Sequence, residues 1–256
     1  MTSAMPLSTP RTSQIFRALL QADAFVLAKN RRSLILSIML PMIILISTNN
    51  PNAGQRLGGA LVIVALAVTY GLMSTSMLGY ALSVARDRES GVFQRLRVTP
   101  APTWTIIASR LTIQMLANFI ISLMVVVVGS SIHHVSLTIS QYTLVLAISI
   151  VGSAVFLSIG QAIVGLIKSS DTVNATGRIV FIALILLGMF GLTGTLGGAL
   201  EFCARWSPVG TVMTLFAGVL DLRRWTGHDS FSLLICVLYI AIFTGIGIRW
   251  FRWESQ

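Results

Sequence analysis

An all-α integral membrane protein is the fold class this sequence predicts, and two observations carry the prediction. Of 256 residues, 55% are apolar and only 10% are charged, with a mean hydropathy of +0.84. The charges also leave long gaps: 23 uncharged residues between Arg32 and Arg56, 29 between Arg56 and Arg86, 57 between Arg110 and Lys168, 22 between Arg178 and Glu201, and 19 between Asp229 and Arg249. A helix crosses the hydrocarbon core with roughly 20 apolar residues, so each gap can hold a span and the longest must hold two. A soluble core would instead show amphipathic or alternating patterns, which these runs largely lack.

The elements follow in order. Residues 1–12, rich in Ser, Thr and Pro, read as a disordered tail. From Ser13 onward Ile15, Phe16, Leu19 and Leu20, then Ala22, Val26 and Leu27, recur at helical spacing, with Arg17, Gln21 and Lys29 mainly elsewhere. This predicts an amphipathic helix lying in the membrane interface, or packed on another cytoplasmic segment. Six spans follow, at about 34–50, 58–82, 103–128, 142–167, 179–198 and 231–249. Pro41 falls inside the first, where it removes a helical hydrogen bond. The third and fourth part at "GSSIHHVSLTISQ", residues 129–141.

Near the fifth span, Gly188, Gly191, Gly194 and Gly197 stand three apart, and Gly198 completes a small-xxx-small pair with Gly194. The cluster predicts either a mobile gate or hinge, or close packing against a neighbouring helix. Residues 199–230 read as a short external helix or as a re-entrant pair covered by protein.

Lys and Arg set the orientation. Fourteen fall on the N-terminal side of the membrane and four on the other, which places both termini in the cytoplasm and accounts for the formal charge of +10 without nucleic acid. Thirty-three residues precede the first apolar run, so no cleavable signal peptide is expected and the first span itself targets the chain. The uncharged runs hold no Asp, Glu, Lys or Arg, which argues against an intramembrane enzyme or an ion-coupled carrier. His133 and His134 lie in a loop without a third ligand, and Cys203 and Cys236 fall in different environments, so neither pair predicts a metal site or disulfide. A phosphate loop fails at Gly160 and Gly165, because Leu166 follows where Lys is required. No cofactor is expected on this chain.

One passage breaks the apolar pattern: "RDRESGVFQRLRVTP", residues 86–100, within a cytoplasmic loop at 83–102. Asp87 and Glu89 suit the start of a short helix, Arg95 and Arg97 its end, and Val92, Phe93 and Leu96 share one face. A short helix with apolar anchors and a charged rim suits protein docking. Arg86 and Arg88 are explained by lipid head groups alone. Glu89, Gly91, Leu96, Thr99 and Pro100 resemble the loop of ABC-2 type permeases, the membrane subunits of ATP-driven exporters. Asp87 stands where that family usually has Glu, Val92 where it has Thr, and Gln94 where an acid is common.

The resemblance covers residues 13–256 as a single transmembrane domain. It implies a coupling helix formed by Asp87, Glu89, Ser90, Gly91, Val92, Phe93, Arg95, Leu96 and Arg97, docked on a separate ABC ATPase subunit that carries the ATP and magnesium. It also implies a second permease subunit, identical or related, contact with membrane lipids, and residence in a bacterial cytoplasmic membrane. A pathway without buried charge suits a hydrophobic or amphipathic cargo: a drug or antibiotic-like compound first, a lipid or lipid-linked glycan second. A membrane-embedded enzyme or assembly factor is the rival from another class.

Overall fold

The uncharged run between Arg56 and Arg86 folds, with the charged residues that follow it, into one 30-residue helix, Ala60–Glu89, around which the other helices pack. The computed structural model describes residues 12–29, 31–49, 57–92, 103–193 and 197–250. Its helices in chain order are α1 (Thr12–Lys29), α2 (Arg31–Ser47), α3 (Ala60–Glu89), α4 (Thr103–Ile132), α5 (Ile139–Leu166), α6 (Ser170–Thr193), α7 (Gly198–Trp206), α8 (Pro208–Leu220) and α9 (Gly227–Trp250), with a 3-10 turn at Leu222–Arg224. The predicted tail lies outside the described residues, apart from Thr12, where α1 begins.

Five helices are long and apolar enough to cross a bilayer: Ala60–Glu89, Thr105–Ile132, Ile139–Leu166, Ser170–Gly191 and Gly227–Trp250. The expected first span is the 17-residue α2. At 1.5 Å per residue such a helix is about 25 Å long, shorter than a hydrocarbon core of roughly 30 Å. Five of the six predicted spans therefore meet the length criterion among the described residues, and α2 does not.

Burial separates the helices by role. In α3, 78% of the most apolar window is buried, against 17% in α6 and in α9. Every residue from Ile63 to Met73 is buried. Such a helix, apolar on all sides, belongs in the middle of the bundle, whereas α6 and α9 present apolar faces outward, as lipid or a partner chain demands. The buried ring of Pro41 in α2 packs on α3, its Cγ 3.5 Å from where a side chain at Gly71 would begin. The extensive pairing of α5 with α9 rests on backbone approach, since a Cβ on Gly165 would stand 3.0 Å from the Gly247 carbonyl.

Within α3, Ser74–Gly79 widen into a π-turn. One extra residue is absorbed there without ending the helix. Gly160 of α5 fits against it, where a Cβ would lie 3.0 Å from the Met77 carbonyl.

Residues 199–230 form a helical hairpin that returns into the bundle. Ser207 caps α8, its Oγ accepting from Gly210 N at 3.0 Å, and Pro208 occupies the first turn, where its missing N–H costs nothing. The hairpin tip is deep: the Trp206 carbonyl accepts from the Tyr239 hydroxyl at 2.8 Å, twelve residues into α9. Val212 meets Gly152, thirteen residues into α5, at 3.0 Å from a Cβ built there. At the other end of α8, the Leu220 carbonyl accepts from Gln141 Nε2 at 2.6 Å, near the start of α5. So α7 enters to about mid-bundle and α8 climbs back out.

Candidate functional site

The charged passage sits where α3 ends, and three consecutive side chains from that last turn reach three other helices. Successive residues on a helix point about 100° apart, so a short run can address neighbours on several sides. Asp87 Oδ2 pairs with Arg110 Nη2 of α4 at 2.6 Å. Arg88, only 4% exposed, donates Nη1 to the Val164 carbonyl at 2.9 Å and Nη2 to the Ile167 and Lys168 carbonyls at 2.6 Å each. Those carbonyls end α5 and have no helical partner of their own, and a guanidinium satisfies them while matching the negative end of the helix dipole. Glu89 accepts from Ser170 N at 2.5 Å and Ser170 Oγ at 2.6 Å. Its carboxylate therefore completes the start of α6, where unpaired N–H groups and the dipole favour an anion.

A fourth tie brings in α1. Ser109 of α4 donates to Asp23 Oδ2 at 2.5 Å. Asp23 falls in the half-buried stripe of α1 with Ile15, Phe16, Leu19, Leu20 and Leu27, one step from the Asp87–Arg110 pair. Burial raises its pKa above the ordinary carboxylate value, outweighing the Ser109 hydrogen bond and the Arg110 charge that act the other way. Between α1, α3 and α4 lies a cavity of about 300 Å³ bordered by these groups.

Further along α3, the π-turn carries a buried polar knot. Thr75 Oγ1 donates to Asn118 Oδ1 at 2.7 Å, and Asn118 Nδ2 donates to Ser76 Oγ at 2.7 Å and Ser153 Oγ at 2.9 Å. Gln114 Nε2 donates to the Thr75 backbone carbonyl at 3.2 Å, one of the carbonyls whose helical pairing a π-turn shifts. Tyr80 donates to Gln161 Oε1 of α5 at 2.7 Å. Separate polar contacts thus recur from the charged end of α3 to its middle, tying it to α4 and α5.

Two expectations need correcting. Asp87 and Glu89 lie in the last turn of α3, not at the start of a short helix, because α3 continues to Glu89 and the break comes at Gly91, whose φ of +69° favours glycine. Arg88 is a buried helix cap and not a head-group anchor, whereas Arg86 is exposed. Ser90 is exposed and Val92 borders the cavity. Phe93, Arg95, Leu96 and Arg97 lie outside the described residues.

The interfacial residues Ile15, Phe16, Leu19 and Leu20 are half-buried, and α1 packs on α4. Gly188 and Gly191 sit inside the unbroken α6 and receive the hairpin: a Cβ on Gly191 would overlap that of Ala204, and one on Gly188 would stand 2.7 Å from Tyr70 Oη. Gly197 has a φ of +83° just before α7, Gly198 opens α7 with free space around it, and Gly194 lies outside the described residues.

Sequence reasoning missed the roles of Arg88, Asp23 and Asn118. Asp23 carried a signal, an acid in the apolar stripe of α1, and Asn118 another, a carboxamide inside an uncharged run. Among the described residues, no group of His, Cys, Asp and Glu could hold a metal ion. The groups at the charged end bind and position helices.

Long apolar helices around a buried α3, a hairpin folded in from one end and a charged clamp at the other make up a helical bundle of the membrane-protein class. Residues 14–221 match the family model for the ABC-2 type transporter, so the chain belongs to that family. Its members are membrane components of ABC transporters, which typically work with an ABC ATPase. Among curated proteins, no sequence matches this chain.

Proposed function

We propose that this chain is the permease subunit of an ATP-driven exporter that moves a hydrophobic or amphipathic, drug or antibiotic-like molecule out across a bacterial cytoplasmic membrane. The observation that carries the proposal is the clamp at Asp87, Arg88 and Glu89, which ties the end of α3 to α4, α5 and α6 at the base of a loop resembling the family's coupling segment. A push on that loop reaches all of these helices at once. Six spans, with α2 as the first, put both termini and the loop in the cytoplasm under the positive-inside rule. A separate ATPase subunit binds ATP and magnesium and docks on residues 90–97, just beyond the clamp, and a second permease copy or related chain completes the pathway. Gly197 and Gly198, where α7 leaves its entry turn, act as the hinge of the hairpin, which closes the outer side of that pathway.

The test is made on the permease–ATPase complex. Because Glu89 also holds Ser170, substitutions there mix docking with folding, and Phe93→Ala with Leu96→Ala is the cleaner pair. The double variant should insert and melt like the parent while losing permease-dependent stimulation of ATP hydrolysis. Full stimulation in a correctly inserted double variant overturns the docking assignment.

A further inference from the structure

The cavity between α1, α3 and α4 has apolar walls and a carboxylate, Asp23, that the transport reading leaves unused. We propose that it is a binding site for a cationic amphiphile, a protonated amine on an apolar tail, with Asp23 as the group that recognises the amine. Its volume of about 300 Å³ lies at the lower end of the range for small-molecule sites. Leu27, Val84, Ile106 and Ile113 supply apolar wall from three helices. Among the described lining residues the charged groups are Asp23, Asp87 and Arg110, and Asp87 and Arg110 are paired with each other at 2.6 Å. That leaves the described lining with a net single negative charge, carried at Asp23, whose Oδ2 accepts the Ser109 hydroxyl. An anionic ligand would meet two carboxylates beside the one guanidinium, and a neutral one would leave the half-buried Asp23 carboxylate with only the Ser109 hydroxyl and the nearby Arg110 charge to offset its burial. An ammonium group offsets the burial that disfavours the ionised carboxylate. The cavity lies within one chain and borders α1, so ligand there also bears on how α1 sits against α4. Binding there is independent of whether the bound molecule is exported.

The full chain in phosphatidylcholine nanodiscs, exposed to a dodecylamine carrying a terminal diazirine, tests it. Photolabelling mapped by mass spectrometry should fall on the α1, α3 and α4 residues around the cavity. The matched alcohol and carboxylate should label these positions about tenfold less, the loss expected for one hydrogen bond to a charged group. Asp23→Asn should reduce amine labelling by a similar factor and Asp23→Glu should restore it. Ala22→Phe, a substitution at an exposed position on the rim, should block labelling without touching the carboxylate. Replacing part of the lipid by phosphatidylethanolamine separates two sources of the same chemistry: competition identifies the lipid amine as occupant, and undiminished labelling identifies a free amine. Equal labelling by the alcohol, insensitivity to both Asp23→Asn and Ala22→Phe, or labelling confined to the outward faces of α6 and α9 overturns the assignment.

Discussion

Replacing Arg88 by Met keeps most of the side-chain volume and removes the donors that cap α5. The Val164 carbonyl is buried with Arg88 Nη1 on it, while the Ile167 and Lys168 carbonyls lie nearer solvent. Leaving one buried acceptor unsatisfied costs about 1–3 kcal/mol, and each of two part-buried bonds contributes about 0.5–1.5 kcal/mol. Some of this is returned because a buried guanidinium no longer has to be desolvated. The net loss is on the order of 3 kcal/mol, which for a chain of this length lowers the melting temperature by roughly 6 °C or more. The assay is thermal unfolding of the detergent-solubilised chain, with Arg86→Met as the control for loss of a nearby exposed charge. Arg88→Lys should fall between the two, because one ammonium cannot span three carbonyls as a planar fork does. If Arg88→Met melts no lower than Arg86→Met, the capping role is wrong.

Two other outcomes follow from the packing and charge of these helices. Gly191→Ala forces its new methyl into Ala204 and should destabilise the chain by about 1–3 kcal/mol, as overpacking does. Ala204→Gly in the same chain should recover most of that loss in a melting series, since the two positions are in contact and couple. Asp23 has a raised pKa in the folded state, so the stability it contributes is present below its unfolded value near 3.8 and is lost as pH rises through the folded value. A spin label on α1 should therefore report tighter packing on α4 in acid than at neutral pH, and Asp23→Asn should hold the acid-like state throughout.

What could be read from residue order alone was what lipid imposes. Long uncharged runs are one-dimensional consequences of a bilayer, so five of the predicted spans match long apolar helices to within a few residues except where α3 and α6 extend farther into the charged end, while the first corresponds to the shorter α2. Arg88 was misjudged because its partners are 76 to 80 residues away and are backbone carbonyls, which leave no mark in a sequence. The glycines at 188 and 191 announced close neighbours without saying which, and these proved to be Tyr70 of α3 and the hairpin that follows them. Asp23 needed only its place in an apolar stripe to be noticed, but Ser109 as its donor required the fold.

The π-turn at Ser74–Gly79 has a mechanical corollary. Drawn into regular α-helix, those six residues would turn everything beyond them by about one residue's rotation, roughly 100°. Asp87, Arg88 and Glu89 would then each face the sector their neighbour now occupies, offering a carboxylate where α5 presents carbonyls. A helix that never breaks would thereby have two settings, and in the one observed the buried Asn118 knot ties the π-turn to α4 and α5.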